Sequence, residues 1–294
     1  MLLELWRSLW KLSLLGAFVV FNALVSTFND RAVAQIVPDN TLGDESSLVT
    51  PNSNVRGLPA TLIEGGATRG VNLFQSFSQF NVGDGQRVYF ANPVGIDNIL
   101  TRVTGNSVSN IFGTLGVDGN ANLFFLNPNG IVFGENASLD VAGSFLATTA
   151  DSFDFGNGLG FSANNPEAAP LLSVSVIPGL QFGANPGDIQ NQSRVGLEVQ
   201  SGKNLALVGG NVSLESGILN APGGRIELGG LKEAGNIRID NNFKLNFPID
   251  VERADVSLSN GAQVDVAAEG GGDIAVNARS LNISDSRIIA CIFF

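Results

Sequence analysis

From Leu205 onward the chain alternates apolar and polar residues in short bursts. "NLALVGG", "NVSLESG", "GRIELGG", "NIRID", "DVSLSNG", "AQVDVAAEGGG", "DIAVNARS" and "LNISDSR" follow one another with little between them. Apolar side chains at every second position turn one face of a strand into a core and leave the other in water. The inward sets are Leu205/Leu207, Val212/Leu214, Ile226/Leu228, Ile237/Ile239, Val256/Leu258, Val264/Val266, Ile274/Val276 and Leu281/Ile283. Gly, Asn, Asp and Ser flank most bursts, so tight turns separate strands that are individually too short for a broad sheet face. Leu205 and Ile226 lie 21 positions apart, about one coil of a parallel β-solenoid, in which stacked strands cover one another's edges. A β-sandwich or barrel with hairpin connections is the structural competitor.

Upstream the pattern changes. Asp151 to Arg194 is punctuated by "NNPEAAP", "VIPGL" and "GANPGD", with "LLSVSV" as its one clear strand, which predicts an irregular excursion or a small packed subdomain. Gln35 to about Gly70 reads as a strand-poor polar lead-in. Val71 to Phe80 alternates poorly but is rich in Phe, as a β-rich cap over the open end of a solenoid requires.

One tetrapeptide stands out, Asn127-Pro128-Asn129-Gly130, between the apolar runs Leu123 to Leu126 and Ile131 to Phe133. All four residues suit a type I β-turn: Asn at the first position bonds the backbone ahead, Pro presets the second, Asn is tolerated at the third and Gly is favoured at the fourth. Runs apolar at every position imply strands buried on both faces. Turn chemistry alone accounts for the tetrapeptide.

Composition narrows the function classes. Of 294 residues 36 are Gly and only 15% are charged, which favours short strands and tight turns over long helices. The net charge is −11 and the 16 basic residues form no cluster, which argues against nucleic-acid binding. The single cysteine, Cys291, cannot close an internal disulfide, and the absence of histidine excludes the usual triads and zinc sites. At the N-terminus Arg7 and Lys11 lead into "LSLLGAFVVFNALVSTF", and Ala32-Val33-Ala34 supplies the small-x-small pattern of a signal peptidase site. Residues 1–34 therefore read as a Sec-type signal with cleavage before Gln35. No later segment has membrane-spanning length.

Catalysis needs convergent groups, and a polysaccharide lyase or hydrolase on a β-helix needs paired carboxylates or a carboxylate set with Lys or Arg. Asp151/Asp154, Asp240 and Asp265 stand apart in the sequence without a basic set. Val117-Asp118-Gly119-Asn120 has the look of a calcium loop but lacks the remaining ligands. No cofactor is expected.

The stretch "RVTGNSVSNIFGTLGVDGNANLFFLNPNGIVFGENASLDVAGSFLATTA", Arg102 to Ala150, resembles the N-terminal secretion domain of filamentous-haemagglutinin-type exoproteins of two-partner secretion. "PGLQFGANPGDI", "GKNLALVGGNVSLESG" and "APGGRIELGG" resemble its continuation in cyanobacterial members. The resemblance runs from about Phe80 to Ser286. It implies an all-β fold, a right-handed parallel β-helix with an N-terminal β cap and short extra-helical elements, preceded by the helical signal peptide. It also implies recognition, unfolded or partly so, by the periplasmic POTRA domains of an outer-membrane barrel transporter, after export by the Sec machinery and signal peptidase, with folding at the cell surface.

The transporter-recognition motif carried over is Asn127, Pro128, Asn129, Gly130 and Ile131. A second, upstream motif of the family corresponds here only to Asn92-Pro93-Val94-Gly95, a departure at its last two positions. The expected organisation is a signal peptide over 1–34, cap and core over 35–150, an excursion over 151–203 and continuing coils over 204–294. "SDSRIIACIFF" ends without a polar capping element, so the chain is expected to be a truncated or frameshifted product of a longer exoprotein. The expected function is non-enzymatic. The alternatives are a stand-alone surface adhesin or carbohydrate-binding solenoid with a host or cell-surface ligand, and, less favoured, the lyase or hydrolase. Replacing Asn127 or Asn129 by Ala is expected to impair secretion more than stability, with lost turn bonds costing about 0.5–2 kcal/mol.

Overall fold

The computed structural model describes residues 35–170, 178–240 and 243–292. The expected signal peptide, with Ala32 and Ala34, and the expected "LLSVSV" strand lie outside these residues. Among the described residues there is no α-helix, and a single 3-10 turn spans Gly43–Glu45. No described helix is long and apolar enough to cross a membrane.

The chain winds through three faces in turn. The longest sheet stacks Asn72–Phe80, Asn98–Val103, Asn122–Leu126, Phe145–Thr148, Asn204–Gly209, Arg225–Gly230 and Asp273–Asn277, all parallel. A second face stacks Ser109–Ile111, Ile131–Phe133, Ile189–Asn191, Val212–Glu215, Val256–Ser259 and Leu281–Ile283. Two smaller sheets complete the coils. The first joins Leu58–Gly65, Arg87–Ala91, Thr114–Asp118 and Ser138–Asp140; the second joins Leu197–Glu198, Ile218–Asn220, Gln263–Asp265 and Arg287–Ile289. This is a parallel β-helix, and Leu205 pairs with Ile226 in register as the 21-residue spacing requires.

Stacking aligns like with like. Leu73, Ile99, Leu123, Phe145, Leu205 and Ile226 form one inward column, all within the main core. Near the cap, Phe77, Phe80, Phe90 and Phe125 fill the interior with edge-on and stacked rings whose centroids are 5.0 to 6.4 Å apart. Each fully buried side chain of this size contributes about 1.5–3 kcal/mol.

Beside the apolar columns runs a ladder of amides. Asn98 Nδ2 donates to Asn72 Oδ1 (2.9 Å), Asn122 Nδ2 donates to Asn98 Oδ1 (2.9 Å), and the Ser144 N–H donates to Asn122 Oδ1 (2.8 Å).

The outer side of the long sheet is buried as well. Phe74, Leu100, Phe124, Leu146 and Ala206 point away from the coil into a second core. An antiparallel sheet covers them, ordered Gly160–Ser162, Ser152–Asp154, Gly179–Phe182, Gly235–Ile239, Leu245–Asn246. Two excursions from the coil build it, which explains why "NLFFL" is apolar on both faces. Within 151–203, Ile189–Asn191 and Leu197–Glu198 are coil strands, and within 204–294 the chain leaves the coil between Arg225–Gly230 and Val256–Ser259.

Three expectations are corrected. Gln35 to Gly70 is not strand-poor: Ser47–Val55 and Leu58–Gly65 form a hairpin, and Ile36–Pro38 and Ala67–Arg69 pair with Asn72–Phe80. The hairpin turns at Arg56 (φ 53°) and Gly57 (φ 81°), both left-handed, a type I′ geometry that matches strand twist. Ile237/Ile239 do not face the coil interior but the second core. Leu281 and Ile283 are 42% and 47% exposed, because no described strand stacks beyond their rung.

Arg102 fastens the first excursion to the cap. It is fully buried; Nε donates to Ser76 Oγ (2.9 Å), Nη1 to the Ser162 carbonyl (2.8 Å), and Nη2 to Thr41 Oγ1 and the Glu167 carbonyl (both 2.7 Å). Its guanidinium lies 3.9 Å from the Phe161 ring centroid. Burial lowers its pKa to about 10 against the opposing pull of Asp39, so it stays charged at neutral pH. Burial pushes the Asp39 carboxyl up, but hydrogen bonds from Thr104, Thr41 and Ser76 together outweigh this and hold it below its ordinary value.

Candidate functional site

The Asn127–Gly130 turn joins the long sheet to the second face. The Gly130 N–H donates to the Asn127 carbonyl (3.2 Å), closing the β-turn. Asn127 is fully buried. Its Nδ2 donates to the Ser107 carbonyl and to Ser109 Oγ (both 2.9 Å), and its Oδ1 accepts from the Asn129 N–H (3.0 Å) and Asn129 Nδ2 (3.1 Å). The Asn127 N–H donates to the Thr148 carbonyl (3.0 Å), and the Gly187 N–H donates to the Pro128 carbonyl (2.9 Å). One buried carboxamide thus connects its own turn to the loop of the preceding coil, while the turn's backbone engages the coil that follows.

Asn129 differs from Asn127 by being exposed, and its Nδ2 donates to the Gly105 carbonyl (2.7 Å). Gly130 has φ 124°, and a Cβ there would meet the Asp188 carbonyl at 3.1 Å. Asp188 O accepts from the Ile131 N–H (3.1 Å), and Ile131 sits at zero exposure in the main core. The expected bond from Asn127 to the backbone ahead is present, but the two bonds to Ser107 and Ser109 could not be read from local turn preference.

The loop that Asn127 and Asn129 grip is itself fixed. Thr104 Oγ1 donates to Asp39 Oδ2 (2.6 Å), and a Cβ on Gly105 would lie 2.0 Å from the Ser78 carbonyl. The turn motif, Arg102 and Asp39 therefore share one bonded region. Gln35, expected to follow the cleavage site, accepts at its carbonyl from the Asn81 N–H (3.0 Å).

The upstream motif is a different turn. The Ile96 N–H donates to the Pro93 carbonyl (3.2 Å), and Gly95 has φ 86°, so the turn spans Pro93 to Ile96 with Val94 fully exposed. Asn92 nevertheless reaches across coils: its Oδ1 accepts from the Asn120 N–H (2.9 Å) and the Ala121 N–H (3.1 Å), and its Nδ2 donates to the Ile96 carbonyl (2.9 Å). Gly119 makes room for it, because a Cβ there would lie 2.3 Å from Asn92 Oδ1. The calcium-like segment is this contact, with Asp118 ion-paired to Arg56 (3.7 Å), and no described cluster of three acidic or thiol groups could hold a metal.

The acidic residues are not brought together. Asp154 Oδ1 accepts from the Gly156 N–H (2.8 Å), Asp240 Oδ1 from the Lys244 N–H (3.0 Å), and Asp265 Oδ1 from the Ala267 N–H (2.8 Å), each within its own turn. A polar cluster that sequence reading missed lies on the third face. Tyr89 Oη donates to Asp140 Oδ2 (2.6 Å) and accepts from Arg87 Nη2 (2.8 Å), while Arg56 at the hairpin tip pairs with Asp140 and donates to the Val117 carbonyl (2.9 Å). Burial and the neighbouring Asp140 carboxylate raise the Tyr89 pKa. The cluster straps the hairpin across the coil; its members are too far apart in sequence to suggest it.

The model of the TPS secretion domain matches residues 34–276. The chain is 24% identical over 210 residues to the heme/hemopexin-binding protein of Haemophilus influenzae, covering 69% of this chain and 20% of that protein. It thus spans about a fifth of that relative's length. The HMW1 secretion domain from Haemophilus influenzae has 20% identity and a TM-score of 0.49, over 87% of this chain and 66% of that one. The filamentous hemagglutinin secretion domain has 14% identity and a TM-score of 0.40, over 86% and 99%. With a family match running through nearly every coil from the cap onward, the chain belongs to the TPS secretion domains of two-partner-secretion exoproteins.

Proposed function

We propose that this domain is the segment by which a large exported surface protein is recognised by an outer-membrane barrel with periplasmic POTRA domains, and that it nucleates β-helix folding at the cell surface. The route runs through the periplasm, after Sec export and cleavage between Ala34 and Gln35. The role is one of recognition and templating, with no catalytic step. Any host or cell-surface ligand belongs to the exported protein as a whole.

The observation that supports the reading best is the division of labour within one turn. Both asparagines bond the loop of the preceding coil, but Asn127 is fully buried, whereas Asn129, two residues on, is exposed. Its Nδ2 is used on the Gly105 carbonyl and Asn127 Oδ1, but its Oδ1 accepts no hydrogen bond among the described residues and is left for an incoming donor. The test is export of the full chain fused to a reporter, with and without the partner barrel. Transporter-dependent appearance of the reporter in the medium is expected, with a mature N-terminus at Gln35. Export that is absent, or equal without the barrel, would rule the reading out.

A further inference from the structure

The antiparallel sheet outside the coil carries a groove of about 790 Å³, within the range of small-ligand sites. Its floor is the solvent face of the strands Ser152–Asp154, Gly179–Phe182 and Gly235–Ile239. Alternation turns Phe153, Leu180, Phe182, Ile237 and Ile239 down into the second core. Gln181, Asn236 and Arg238 are left on the exposed side, paired across the strands as Gln181 with Asn236. Asp154 pairs with Gly179. A Cβ on Gly179 would lie 3.6 Å from the Asp154 carbonyl and 3.9 Å from Arg238 Cα, so this glycine sits between the acid and the base.

The spacing matters because it keeps opposite charges apart. Asp154 and Arg238 stand two strand spacings from each other, about 10 Å between backbones, with no side chain in the gap. Arg56, Arg69, Arg194, Arg225 and Arg279 each have a carboxylate within 4 Å, and Arg102 is saturated with hydrogen bonds. Arg238 has no ion pair, side-chain hydrogen bond or ring contact among the described residues. Asp154 uses Oδ1 on the Gly156 N–H, which leaves its second oxygen for another donor.

We propose that this groove binds a carboxylated saccharide, a uronate unit of an acidic polysaccharide. Arg238 takes the sugar carboxylate in a bidentate pair, the geometry for which a guanidinium is built. The Gln181 and Asn236 carboxamides, each both donor and acceptor, match ring hydroxyls. Asp154 accepts from a hydroxyl at the far side of the ring, and Gly179 lets the ring lie against the strand between them. A simple carboxylate would use Arg238 alone and a neutral sugar would leave it unpaired, so the combination of groups selects the acidic sugar. The groove shares no lining residue with the Asn127–Gly130 turn, so its occupation is testable without the transporter.

Isothermal titration of the purified protein tests this with trisaccharides of galacturonate and of glucuronate, with their methyl esters, which remove the charge while keeping the hydroxyls, and with sodium acetate. At least one acid trisaccharide should bind, its ester about tenfold or more weaker, and acetate not measurably. Arg238→Gln should abolish the preference for acid over ester, whereas Lys203→Gln, an exposed cation elsewhere on the coil, should leave it intact. Unchanged thermal melting would show that both variants fold. Failure of both acids to bind, equal binding of acid and ester, or undiminished preference in Arg238→Gln would each overturn the proposal.

Discussion

Replacing Asn127 and Asn129 one at a time separates architecture from recognition. Asn127→Ala removes two donor bonds, to the Ser107 carbonyl and Ser109 Oγ, and leaves the Asn129 N–H without its acceptor, all at a fully buried position. Asn129 Nδ2 loses the same acceptor but stands at an exposed position, so the other three bonds at about 1 kcal/mol each predict a loss of about 3 kcal/mol. This exceeds the range that turn preference alone suggests. In a domain of this size it lowers the melting temperature by about 6–12 °C. Asn129→Ala gives up the bonds to the Gly105 carbonyl and Asn127 Oδ1 at an exposed position, worth about 0.5–1 kcal/mol together. Urea denaturation of the purified proteins measures both losses; export with the partner barrel measures recognition. Asn129→Ala is expected to fold nearly as well as wild type yet to be exported about tenfold less. Wild-type export of Asn129→Ala would refute the recognition role, and a loss below about 1 kcal/mol for Asn127→Ala would refute its structural one.

Three further perturbations probe the scaffold. Arg102→Met leaves the Ser162 and Glu167 carbonyls and Asp39 without their cation and should cost about 3–5 kcal/mol, with hydrogen exchange rising first in residues 152–167; uniform exchange would contradict the pinning role. Burial raises the Glu227 pKa despite its Arg225 partner, and a raised folded-state pKa means stability that is full below the unfolded pKa and lost as pH rises through the folded one. Glu227→Gln should therefore melt higher than wild type at pH 7 and equal to it in acid, where both side chains are neutral; a lower melting temperature at pH 7 would reverse the assignment. Gly119→Ala, which drives a methyl onto Asn92, should cost about 1–3 kcal/mol, and an unchanged urea midpoint would mean that the Asn92 contact yields freely.

Period-two alternation located most coil strands because each buries one face in the coil, as Leu205 stacked on Ile226 shows; the separation of stacked residues varies from coil to coil and is longest where an excursion intervenes, as between Phe145 and Leu205. Alternation says that one face is buried but not against what. Ile237 and Ile239 carry the same signal as Leu205 and Leu207, yet they pack on the outside of the long sheet. The hairpin at Ser47–Gly65 escaped because its turn uses Arg56 at φ 53° where Asn is usual, and because Pro51 and Asn52 interrupt the first strand at a bulge. At the turn motif, residue preference identified Asn127 as a turn former. Its bonds to Ser107 and Ser109 were hidden because they join residues of different coils, which only the winding brings together.

The amide ladder has a sense of direction. Each earlier rung offers an oxygen and each later rung supplies the N–H, from Asn72 through Asn98 and Asn122 to Ser144. Asn72 Nδ2, at the start, is the one ladder donor left buried without a partner. The penalty of beginning is thus met once, at the cap, and each of the next three rungs, at Asn98, Asn122 and Ser144, finds an acceptor already waiting. If the proposed export route delivers the chain from its N-terminal side, each of these rungs meets its acceptor in the order in which it emerges, and the ladder acts as a ratchet that needs no nucleotide to advance.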